Sequence, residues 1–89
     1  MAYRKVMVGT EIKQLVSYNP KRLSLVIYNF GTDRIFISDN PTNVLDEGFP
    51  LEAGASISFH KAFGDRPEVA LWGIAASGCQ DIRIVEGYE

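Results

Sequence analysis

RLSLVIYNFGTDRIFIS, residues 22–38, holds the clearest periodicity in the chain. From Arg22 to Tyr28 the residues alternate, with Leu23, Leu25 and Ile27 on one face and Ser24, Val26 and Tyr28 on the other. That is a period of two rather than 3.6, and it predicts a strand buried mainly on one side. Asn29-Phe30-Gly31-Thr32-Asp33 then supplies a glycine able to take positive φ. Arg34 to Ser38 alternates again, turning Ile35 and Ile37 toward the same core, so the two runs are expected to pair as a hairpin.

Downstream, Asp39 to Gly48 carries turn formers at most positions and predicts a long surface loop. Phe49-Pro50-Leu51 reads as a short edge segment, because proline cannot donate to a ladder. Ser56 to Lys61 alternates with Ile57 and Phe59 inward, and Ala62 to Pro67 follows as a second long loop. Glu68 to Ala76 is the most apolar strand, expected to lie centrally with both faces covered or with its second face against another subunit. Ser77 to Gln80 is expected to turn it into a closing hairpin with Asp81 to Glu86, where Ile82 and Ile84 oppose Arg83 and Val85. Upstream, Tyr3 to Val8 and Glu11 to Tyr18 read as two further strands; a helix over the second would be only eight residues long and flanked by extended runs. The N-terminal stretch 1–8 is expected to be an arm or an edge strand. Seven Val, eight Ile and three Thr fall in these short runs, so the expected fold is all-β: one small antiparallel sandwich or barrel of about seven strands spanning residues 1–89.

Composition narrows the function. At 89 residues the chain is too short for two domains, and a core this small makes self-association a live expectation. A net charge of -2 with dispersed Lys and Arg gives no field that would draw it to nucleic acid, and its apolar stretches are broken well before the length of a membrane span. The N-terminus lacks a signal peptide's apolar segment, so folding in the cytoplasm is expected. Cys79 is the only cysteine and His60 the only histidine, which excludes an internal disulfide and a two-histidine metal site. Ser56-x-Ser58-x-His60 is the one arrangement that could suggest nucleophilic catalysis, and it is also what an exposed strand face looks like. Asp39, Asp46, Glu47 and Glu52 lack calcium-loop spacing, and the scattered glycines form no phosphate cradle. No cofactor and no catalytic role are therefore expected. A β domain with two long loops and one unusually apolar strand is suited to contact something. The expected contact residues are Trp72 and Phe63 as aromatic anchors, with Asn43, Val44 and Leu45 from the first loop and Arg66 from the second.

The chain resembles small virion-associated proteins of tailed bacteriophages over Asn19 to Gly87. The likeness rests on an Asn-Pro-x-Arg entry (Asn19, Pro20, Arg22), a strand ending in Asn29, a Pro-Leu-x-x-Gly turn (Pro50, Leu51, Gly54) and a closing strand with Arg83 and Glu86. It implies a β-sandwich or barrel that decorates or cements the capsid, or sits at the head-tail region, as several identical copies, a trimer favoured. Its partner would be the major capsid protein or another virion protein, and its location the virion after synthesis in the host cytoplasm. A carbohydrate- or host-surface-binding module of a tail fibre is the alternative of a different class.

Overall fold

Short strands with one apolar face cannot bury that face in a single layer, so two sheets must close on each other. The computed structural model, which describes residues 2–42 and 44–88, shows this arrangement. Its strands are β1 (Ala2–Val8), β2 (Lys13–Val16), β3 (Arg22–Asn29), β4 (Ile35–Ser38), β5 (Phe49–Leu51), β6 (Ser56–His60), β7 (Leu71–Ala75) and β8 (Gln80–Tyr88). A helical turn, α1 (Val44–Glu47), and a 3-10 turn, Lys61–Phe63, interrupt them. The strands form two antiparallel four-stranded sheets in the orders β1-β8-β3-β6 and β2-β7-β4-β5. The protein is thus an all-β antiparallel sandwich. Val8, Leu25, Ile27, Ile82 and Ile84 of the first sheet share one core cluster with Leu15, Ile35, Ile37, Leu51 and Leu71 of the second.

Both expected hairpins are arches instead. β3 pairs with β6 and β8, whereas β4 pairs with β5 and β7, so residues 30–34 carry the chain from one sheet to the other. Residues 76–79 do the same between β7 and β8. Two buried amides hold these crossings. Asn29 Nδ2 donates to the carbonyls of Asp33 (2.8 Å) and Leu51 (3.0 Å), and its Oδ1 accepts the Gly31 N–H at 3.0 Å. Gln80 Oε1 accepts the N–H groups of Thr32 (2.8 Å) and Asp33 (3.1 Å), while its Nε2 donates to Ser77 O at 2.9 Å. A Cβ on Gly31 would press on Gln80 Oε1, so any side chain there would have to displace the amide that holds the crossing.

At the other end of β3 the expected alternation breaks. Arg22 pairs with Tyr88 but Ser24 pairs with Gly87, so β3 carries an extra residue opposite β8. That bulge turns Leu23 outward and Arg22 inward, where it is 2% exposed rather than solvated. A buried guanidinium must satisfy its donors. Arg22 Nε pairs with Glu86 Oε2 at 3.0 Å, Nη1 donates to the carbonyls of Pro67 (3.0 Å) and Val69 (3.3 Å), and Nη2 to Ser17 O at 2.8 Å. Glu86 also meets Arg4 Nε at 3.1 Å and accepts from the Tyr88 hydroxyl. Burial pushes the Glu86 carboxyl up, but the Tyr88 hydroxyl and the charges of Arg4 and Arg22 outweigh it and hold the group below the usual carboxylate range.

One further expectation is corrected, and two that stood as alternatives are narrowed. The segment Asp39 to Gly48 is not wholly a surface loop, because α1 packs against β4 and β7 with Val44 fully buried. Val44 and Ile74 are both buried yet lie apart from the intersheet cluster, which puts this turn over the outward side of β7. Central β7 is therefore covered on its second face in part by its own chain. Residues Ala2–Val8 are an edge strand hydrogen-bonded to β8, not a free arm.

The bulge and the ion pair can each be tested by unfolding. Leu25→Ala should cost about 2–5 kcal/mol in urea unfolding, whereas Leu23→Ser stays within roughly 0.5 kcal/mol. Equal losses would contradict the bulge. Arg22→Met, which leaves buried Glu86 with Arg4 as its one remaining cation and strips the carbonyls of Ser17, Pro67 and Val69 of their donor, should cost about 3–5 kcal/mol at pH 7. A carboxylate whose pKa is depressed on folding contributes stability above its unfolded pKa of about 4.3, and loses it as pH falls through the folded value. Wild-type unfolding midpoints should therefore drop more between neutral pH and pH ~3 than those of Glu86→Gln.

Candidate functional site

The two open sides of the sandwich differ. On the β1/β2 side, cationic side chains strap the sheets together: Arg4 Nη2 donates to Leu15 O at 2.8 Å, and Lys13 Nζ to Met7 O at 3.3 Å. On the β5/β6 side the edge strands are only three and five residues long and cover the space between the sheets incompletely. The result is a groove of about 640 Å³. Ile57 and Phe59 form one wall, Ile37 and Leu71 the other, with Val69 between them and Phe49 at the lip. Ile57 and Phe59 face inward opposite Ile27 and Leu25, as their alternation predicts. Phe49 points to the inner side beside Ile37, yet it stays 56% exposed because no strand lies beyond it.

The rim is acidic. Asp39, Glu47 and Asp65 line it together with Arg66. Arg66 is already engaged by Glu68 at 2.6 Å, and the hydrogen bond it donates holds the Glu68 carboxyl below its ordinary range. Asp65 fixes the rim in place: its carboxylate accepts the His60 N–H at 2.9 Å, and its own N–H donates to His60 O at 3.3 Å. Gly64, at φ 87°, allows the chain to reverse between the 3-10 turn and Asp65. The groove can therefore take apolar side chains from an extended segment while its rim favours cations.

Both loops expected to make contacts flank this one groove, the first through Asp39 and Glu47, the second through Asp65 and Arg66. Phe63, 79% exposed, stands on the 3-10 turn next to the rim, its ring edge-on to His60 at 5.6 Å. Trp72 lies elsewhere, half-buried on the outward side of β7. Val44 is buried beneath α1 and offers no surface; Asn43 and the side chain of Leu45 lie outside the described residues. Sequence reasoning named Ile57 and Phe59 as core and missed the groove. Its signal was present in part, since an edge segment containing Pro50 facing a short strand leaves a side of the sandwich thinly covered. Among the described residues, no three His, Cys, Asp or Glu side chains gather to hold a metal ion. Compared with models of known families, with curated proteins and with solved structures, the chain has no match, so the groove stands on its own geometry.

Proposed function

We propose that this chain is a virion structural protein that attaches to the outside of a phage capsid as a decoration or cement protein, in several identical copies. The observation that supports this reading is the β5/β6 groove, an apolar slot with a charged rim, flanked by the two long loops, the second of which also carries Phe63 with its ring 79% exposed. Such a surface suits the joining of identical copies, which then present their loops to the shell together. A small sandwich gains from this in two ways: neighbouring copies cover apolar surface that its thin core cannot, and a lattice multiplies weak contacts by avidity. The major capsid protein or another virion protein is the partner proposed, with a trimer as the favoured assembly.

A carbohydrate-binding module is the second reading, favoured by a different surface. The outward side of the first sheet places Tyr3 beside Val85 and Arg83 beside Tyr28, and Phe30 follows with Arg83 4.8 Å from its ring centroid. Aromatic faces on a sheet can stack on sugar rings.

Co-sedimentation with purified capsid shells separates the two. The decoration reading predicts retention of wild-type chain, a drop of roughly tenfold or more in apparent affinity for Phe63→Ala, and no change for Tyr3→Ala. Failure of the wild type to bind shells, joined to glycan-array binding that Tyr3→Ala abolishes, would establish the second reading instead.

A further inference from the structure

We infer that the occupant of the β5/β6 groove is a second copy of this chain, seated head to tail with its β1/β2 side, so that its β1 pairs with β6. This rests on the assembly reading above and names the surface that joins the copies.

Topology supplies the first argument. With four antiparallel strands per sheet, the two edge strands of a sheet run in opposite directions. A neighbour placed by continuing the sheet therefore brings its β1 alongside β6 in the antiparallel sense already used throughout. Pro50 denies the second sheet an edge donor on β5, while neither β1 nor β6 contains proline, so the first sheet is the one able to extend.

Backbone direction supplies the second. His60 exchanges hydrogen bonds with Asp65, and Ala55 O accepts from Asn29 of β3. In an antiparallel ladder both polar groups of a residue point to the same side, and sides alternate. The N–H and C=O groups of Ser56 and Ser58 consequently point away from β3, to the open edge. On β1 the carbonyl of Met7 is reached by Lys13 from the open side, which sets the groups of Lys5 outward in the same way.

Charge supplies the third. Residues 1–22 carry five Lys or Arg against one Glu, and residues 39–66 carry five Asp or Glu against two Lys or Arg. In the chain's own fold, Arg4 and Lys13 span the β1/β2 side, whereas Asp39 and Asp65 rim the groove. Seating one on the other brings opposite charges together around an apolar contact. Because the two surfaces differ, the contact is heterologous and makes rings where the rotation closes.

Sedimentation velocity over a concentration series tests this with two kinds of variant. Ser58→Pro removes an edge donor of β6, and Phe49→Lys spoils the groove without touching the ladder; Lys5→Pro removes an edge donor of β1. Circular dichroism checks that each is folded. The expected result is concentration-dependent assembly of wild type that weakens as salt rises, and monomers for each variant alone. An equimolar mixture of Phe49→Lys with Lys5→Pro should give a dimer and nothing larger, since each retains the half the other lacks. Three results would overturn the inference: monomeric wild type throughout, assembly by the folded variants as strong as wild type, or a mixture that stays monomeric. A chain monomeric here that still binds capsid shells defeats this contact and leaves the attachment reading standing. A chain that assembles as described but ignores shells does the reverse.

Discussion

Arg22 is a full cation placed where water cannot reach it, and the way its donors are satisfied organises much of the sandwich. Its guanidinium joins β3 to β8 through Glu86, and to the second sheet through the carbonyls of Ser17, Pro67 and Val69. One side chain thus fixes where β2 ends, where the chain enters β7 and how the two sheets are spaced at that end. A hydrophobic residue of equal size would fill the volume but would leave those carbonyls without donors. Asn29 and Gln80 do the equivalent work at the opposite end, where they hold the crossings at 30–34 and 76–79. Strands β3 and β8 therefore share one plan on their inward side: polar at both ends, Leu or Ile between.

This plan bears on the groove. With both ends of the sandwich plugged by polar side chains and the β1/β2 side strapped by Arg4 and Lys13, the β5/β6 side is where the apolar space between the sheets opens to solvent. The rigid central strands hold Ile57 and Phe59 in place, and the short edge strands leave them uncovered. The function proposed above would thus sit where the framework is thinnest, between two ends held by polar clamps.

Much of the fold was legible in the residues. Alternation located the cores of β3, β4, β6 and β8, the proline at position 50 marked an edge, and β7 was read as central. Strand partnership was not legible, because alternation shows which face is buried and not which strand lies alongside. Asn29 and Gln80 share the phase of the apolar residues on their strands, so their burial could have been read from parity. Arg22 could not: a bulge shifts it out of phase, and only the pairing with β8 reveals that. The two loops that flank the groove are legible from turn-forming residues, while the groove between them depends on two edge strands distant in sequence. Val44 went the other way, its apolar character serving to hold α1 down on the second sheet rather than to meet a partner.

Amide hydrogen exchange, compared between the dilute chain and the same chain at assembling concentration, probes the opening most directly. Exchange is expected to slow at Ser56 and Ser58 and at Lys5, while amides of the central strands change little. Unchanged exchange along both edges, or slowing confined to the outward aromatic side of the first sheet, would contradict it.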